Sequence, residues 1–275
     1  MICLLYSPNE SGFIRLKQIR MNKYSKLKIV NSHLDYDNVT LIEPSSHYYL
    51  HIAIEIDKVL TPFYFFESAL KKKIINNCKE FCNKLLMKNR VIEANVFKAL
   101  LIPPGRGRFI IENQNKVKVA KFDVAILIEV DSEEKLLDIQ KDTSYLELIT
   151  FLKEKSKNIH QIETSNARRI GAVDHTTQGV FLFNYFYAED VEQNLEVWNY
   201  TAGWFEKETE LDNSTLLLPL KKENSDYSVI NHCRWDNLID ILPSLIFKRT
   251  FKKYVLDNFH KNKVGAMPIL YKLII

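Results

Sequence analysis

Val180-Phe-Leu-Phe-Asn-Tyr-Phe-Tyr187 is the stretch on which the reading of this chain turns. All of its residues but Asn184 are apolar or aromatic. Such residues favour strands, so the run is expected to be a strand with both faces largely covered. A polar amide on a covered face needs a partner or a task, which makes Asn184 the first candidate for a site. The Ala-Glu-Asp190 that follows reads as the start of a helix.

Downstream, the pattern predicts a helix over 191–208, strands over 214–220 and 227–235, a helix over 244–259 and a strand over 267–273. Upstream the same order appears. A strand over 47–56 precedes a helix over 67–87, whose Leu70, Ile74, Cys78, Phe81 and Leu85 recur at three- and four-residue spacing. Strands over 91–102, 121–130 and 160–170 follow, with a polar, basic hairpin or loop over 105–118 and a helix over 144–157.

Each β-α-β-β-α-β series is a ferredoxin-like unit, because right-handed crossovers place both helices on one face of the sheet. The other face is also apolar and must be buried, most simply against the sister unit. The expected class is α+β, with two ferredoxin-like units packed sheet to sheet as an intramolecular α+β barrel. Residues 1–45 are expected to be an N-terminal extension, 46–172 the first unit and 173–275 the second. Leu50-His51 can be laid over Phe183-Asn184, and Glu129-Val130 over Arg234-Trp235.

The 275 residues are 46% hydrophobic and 26% charged, as expected of a globular chain rather than a disordered one. A net charge of +4 is too mild to suggest a nucleic-acid or membrane surface. Four cysteines without a CxxC suggest no disulfide framework, and a reducing cytoplasm is the expected location. No apolar run approaches the roughly 20 residues of a membrane span, and the start Met-Ile-Cys-Leu-Leu-Tyr6 is too short for a signal core. Seven glycines leave no phosphate-cradling loop of the common nucleotide enzymes.

A ferredoxin-like unit closing on a twin resembles the dimeric α+β barrel superfamily, whose members include antibiotic-biosynthesis-monooxygenase-like proteins. The resemblance covers residues 46–275 and is best in the second unit. There Asn184-Tyr185, the strand-ending Trp235 and the helical Phe247-Lys248 are similar to elements of the haem-degrading monooxygenases of that group. The resemblance implies a small-molecule monooxygenase-type enzyme acting on an aromatic or conjugated substrate; the alternative is a non-catalytic ligand- or protein-binding member. It implies that Asn184 hydrogen-bonds an oxygen species or carbonyl, and that Trp235 shapes a flat ligand. The axial-histidine place of the haem proteins falls on Phe251, so haem is disfavoured and no cofactor is expected.

The candidate catalytic residues are thus Asn184, Trp235 and His232, the last as a general base. Alternation puts His232 on the opposite strand face from Trp235. Phe186 is a candidate ligand contact. Arg168, Arg169, Asp174 and His175 could bind an acidic substrate or form a salt-bridged clasp between the units. Cys78 and Cys82 read as core, and no metal site is expected. A barrel closed within one chain predicts a monomer whose partner is a small molecule.

Overall fold

Eight strands close into one barrel in the order β1-β3-β2-β8-β5-β7-β6-β4, and every neighbouring pair is antiparallel. The computed structural model describes residues 27–57, 62–88 and 90–274. The strands are β1 (Tyr48–Glu55), β2 (Glu93–Leu101), β3 (Val124–Val130), β4 (Asn158–Arg169), β5 (Val180–Ala188), β6 (Thr215–Pro219), β7 (Val229–Trp235) and β8 (Val264–Ile274). In each half the order is fourth, first, third, second, the ferredoxin-like arrangement. The sheets meet edge to edge, β2 on β8 and β4 on β6, so their inner faces enclose a shared interior.

The helices are α1 (Ala69–Met87), α2 (Arg108–Glu112), α3 (Glu133–Lys141), α4 (Thr143–Lys155), α5 (Val191–Thr209), α6 (Leu238–Phe247) and α7 (Asp257–Lys261), with a π-helical turn at Phe251–Leu256. Three of these differ from expectation. The expected loop over 105–118 contains α2, whose buried Ile110 anchors it. The short α3 precedes α4, burying Leu136 and Ile139. The helix expected to begin after Pro243 begins at Leu238, because Asn237 and Asp240 form a capping box, and Pro243 stands inside it.

Alternation along the strands produces three cores. Ile52, Ile54, Ile126 and Ile128 face outward onto Ile74, Cys78, Phe81 and Leu152 of the first half's helices. Leu182, Phe186, Cys233 and Trp235 face outward onto Trp198, Ala202, Ile241 and Tyr254. Between them the barrel interior is filled by Tyr49, Phe97, Phe122, Phe181, Phe183, Tyr185, Tyr227 and Tyr271. Residues 27–42 lie over the second set of helices. Val30 and Lys28 donate backbone N–H groups to Asn258 and Asn262, each at 2.9 Å. A Cβ at Gly203 would come within 1.8 Å of the Asp37 carbonyl, so only glycine admits this crossing. The remainder of the expected extension, residues 1–26, lies outside the described residues.

Lys71 is the one lysine among the largest fully buried side chains. Its ammonium lies 2.6 Å from Asp123 Oδ1, 3.5 Å from Asp57 and 3.0 Å from the Phe66 carbonyl. Asp123 Oδ2 in turn accepts the Ile56 N–H at 2.7 Å. Removing one partner of such a pair strands the other charge. Lys71→Met is expected to destabilise the chain by about 3–5 kcal/mol in urea unfolding.

Three interior histidines set the pH response. Burial holds His160 down to about 4 and His51 and His232 well below their ordinary value of 6.5. The unfolded chain takes up protons near 6.5 while the folded chain does not, so stability is full above that pH and falls below it. His160 alone accounts for up to about 3 kcal/mol between pH 6.5 and 4. Urea midpoints should therefore drop on acidification from pH 7.5 to 4.5, and His160→Phe should shallow the slope by one proton.

Candidate functional site

Alternation along β5 sends Phe181, Phe183 and Tyr185 into the barrel and leaves Leu182, Asn184 and Phe186 outside. On β7, Asn231, Cys233 and Trp235 share that outer side. Between this face and its covering helices lie two adjoining pockets. The first, with a free volume of about 30 Å³, is walled by Leu182, Asn184, Phe186, Trp198, Cys233 and Trp235 among others. The second, also about 30 Å³, reaches beneath Pro103-Pro104-Gly105 to Leu245, Phe251, Val255 and Pro268. Asn184, Leu182, Phe205 and Phe259 border both.

Local geometry builds these walls. The π-helical turn supplies Phe251, Val255 and Leu256, and a widened turn of this kind displaces side chains from the regular helical track. Gly105 has φ of 145°, where a Cβ would press Pro268 Cγ at 3.3 Å and Phe251 Cζ at 3.5 Å. Glycine alone holds that turn without strain.

Most polar atoms on the walls are already satisfied. The Trp235 indole N–H donates to Thr209 Oγ1 at 3.1 Å, which fixes the ring. Ser214 Oγ donates to Asn231 Oδ1 at 2.6 Å, and Thr201 donates back to the Val197 carbonyl at 2.9 Å. Burial pushes the Cys233 thiol up, so it stays protonated. Asn184 Oδ1 is the exception, buried and without a hydrogen-bond partner.

Asn184, Trp235 and Phe186 thus come together, and His232 does not join them. It lies inside the barrel, its ring stacked 4.2 Å from Phe183, on the strand face opposite Trp235 as alternation had it; the general-base role is therefore corrected, because the ring does not reach the Asn184 pockets. His232 Nδ1 donates to the Leu182 carbonyl at 3.0 Å, and its Nε2 lies 2.8 Å from His175 Nε2. His175 Nδ1 is 2.6 Å from Glu93, whose carboxyl that contact holds below its ordinary value.

Arg168, Arg169 and Asp174 do not converge with His175 on a ligand. Arg168 donates to the Leu195 carbonyl at 2.7 Å and to Glu196 at 2.6 Å, clasping β4 to α5. Arg169 donates to the Glu43 carbonyl at 2.5 Å. Asp174 accepts from Thr176 and Thr177 within its own turn. Each makes its contacts with a different part of the chain and not around a shared space, which corrects the acidic-substrate expectation.

The overlay of His51 on Asn184 also needs correction, since His51 faces the interior. Trp235 pairs with Val180 and Val130 with Tyr48, and counting along each strand brings Ile52 to the place of Asn184. The first half has an apolar residue there. Because Asn184 Oδ1 is unpaired, Asn184→Leu should leave stability unchanged or raise it by up to about 1–3 kcal/mol in urea unfolding.

No protein-family model matches the chain, and no curated protein does. Solved structures match in fold. An anthrone oxidase-like protein aligns at 10% identity and a TM-score of 0.59, covering 86% of this chain and 95% of its own. A protein from Fusobacterium nucleatum assigned as a monooxygenase aligns at 8% identity and 0.51, covering 84% and 94%. At such identities the likeness is one of fold. The expectation of a site without a cofactor is corrected, because haem proteins also occur among these neighbours. One is a dye-decolorizing protein from V. cholerae, at 10% identity and a TM-score of 0.49, covering 86% of this chain and 98% of its own. Among the described residues no group of three or more His, Cys, Asp or Glu is placed to hold a metal ion. Two ferredoxin-like halves closed into one eight-stranded barrel, with these neighbours, give the chain the dimeric α+β barrel fold in single-chain form.

Proposed function

We propose that the chain is a monooxygenase-type enzyme whose substrate is a flat, conjugated small molecule held in the two adjoining pockets of its C-terminal half. The observation that carries this reading is Asn184 Oδ1, buried and unpaired where the two pockets meet. A buried amide oxygen without a donor is costly, and a ligand hydroxyl would supply one. The amide N–H can serve a ligand carbonyl. Apolar walls with one uncommitted polar group are the setting in which an aromatic molecule is bound and oriented. The hydrogen-bonded Trp235 provides a rigid flat wall.

The reaction such a site suits is oxidation of an activated CH2 group lying between aromatic rings. One atom of O2 becomes the new carbonyl oxygen, and the other leaves as water with both substrate hydrogens. The role of the chain is to orient the substrate through Asn184 and to exclude bulk water from a site where apolar O2 enters readily. An anthrone, the class named for one neighbour in fold, has this chemistry.

A second reading, binding without turnover, rests on walls that, among the described residues, carry no carboxylate, imidazole or amine to act as a base. The two separate in one experiment. Titration with an anthrone should quench tryptophan fluorescence and drive O2 uptake in the native chain, and Asn184→Ala should lose both while circular dichroism stays native. Quenching without O2 uptake supports the binder, and no quenching defeats both readings.

A further inference from the structure

The helix α6 is apolar on its outer side as well as its inner one. Of its residues Leu238-Ile-Asp-Ile-Leu-Pro-Ser-Leu-Ile-Phe247 only Asp240 and Ser244 are polar, and both are tied down. Asp240 accepts the Asn237 N–H at 2.7 Å, and Ser244 donates to the Glu208 carbonyl at 2.7 Å. A helix that is apolar all round belongs in a core or in lipid.

Its inner side is accounted for, since Ile241 and Leu245 are buried and line the second of the Asn184 pockets. Its outer side carries Ile239, Pro243, Ile246 and Phe247, whose spacing of three and four residues puts them on one face. Ile239 is 75% exposed, Ile246 54% and Phe247 78%, and none of the three lines a pocket. Single exposed apolar residues are ordinary, but a continuous face of them marks a surface that something else covers.

The charge beside this face is of one sign. Lys248, Arg249, Lys252 and Lys253 follow it directly and are all exposed. Between Leu238 and Leu256 the sole carboxylate is Asp240, which caps its own helix. Lys248 pairs with Glu208, whereas Arg249, Lys252 and Lys253 have no carboxylate partner among the described residues. A net charge of +4 over the whole chain does not register an excess this local.

We propose that the outer face of α6 docks on an anionic lipid surface. Ile239, Pro243, Ile246 and Phe247 enter the boundary between headgroups and acyl chains, and Arg249, Lys252 and Lys253 meet the headgroups. An apolar helical face beside a basic cluster is the arrangement that lies in a membrane interface without spanning it. Among the described residues no helix is long and apolar enough to cross a membrane, so the contact is one of docking. A second copy of the chain on the same face would bring the same cations and, from this segment, no free carboxylate to meet them. Docked in this way, α6 has lipid on one side and the second pocket on the other.

Vesicles are the probe, with no substrate present, so the outcome is independent of the Asn184 reading. The full chain should float with vesicles of phosphatidylcholine mixed with phosphatidylglycerol, and far less with phosphatidylcholine alone. Ile246→Glu combined with Phe247→Glu should abolish flotation while circular dichroism stays native, because both side chains are exposed. Arg249→Gln, Lys252→Gln and Lys253→Gln together should weaken binding roughly a hundredfold, since each basic side chain near an anionic surface contributes about fivefold. The proposal is overturned by a native chain that does not bind the mixed vesicles, or by native-like binding in either set of variants. It is overturned equally by light scattering that shows a dimer which Phe247→Glu dissolves, since a second copy then covers the face.

Discussion

Edge pairing is the constraint from which the rest of this molecule follows. A four-stranded ferredoxin-like sheet leaves two edge strands with unpaired N–H and C=O groups, which in isolation invite association. Here the second strand of each half pairs with the fourth strand of the other, and no edge of the main sheet remains. Closure with eight strands leaves an interior just wide enough for side chains. Both halves must fill that interior at once, and they do so with aromatic rings packed at centroid distances of 4.2–6.5 Å. The apolar character of β5 on both faces is the sequence counterpart of this closure.

The same constraint explains the interior polar groups. Side chains such as His51, His160 and His232 cannot reach bulk water, so each is held neutral or tied to a neighbour. At one end the set Glu93–His175–His232 spans from β2 through the inter-half connection to β7, and the Leu182 carbonyl completes it. Together with Arg168 on Glu196, these bonds join residues of both halves. The four residues once read as a ligand loop hold the closed barrel together or shape the connection. Charge in that connection is spent on structure.

Period-two alternation and long apolar runs made the strands and the barrel legible, because strand-length runs covered on both sides have few other homes. The pairing of Asn184 with Trp235 was legible for the same reason, as was the separation of His232 from Trp235 by strand parity. Short helices were not: α2 and α3 each bury two apolar residues or fewer, too few to set a period. The overlay of His51 on Asn184 failed by a single residue, which in a strand exchanges one face for the other. That Asn184 is unpaired is a property of its three-dimensional surroundings, and no spacing announces it.

β5 is the wall between the outer pockets and the filled interior of the barrel. Asn184 opens outward onto the pockets beneath the C-terminal helices, and the very next residue, Tyr185, points its hydroxyl toward His51 and Tyr271 inside the barrel. The wall is rigid, because β5 is paired along its length with β7 on one side and β8 on the other. Opposite Asn184 on β8 stands Pro268, which also lines the second outer pocket and limits the turn at Gly105. A change at one position of this strand therefore alters one side of the wall directly, and the other only through the backbone they share. In the first half the equivalent strand places Ile52 outward and His51 and Ala53 inward, so its interior face retains a polar group while its outer face has none at the equivalent place. The two halves are thus equal partners in building the interior and unequal ones outside, an asymmetry that closure permits because only the inner faces are shared.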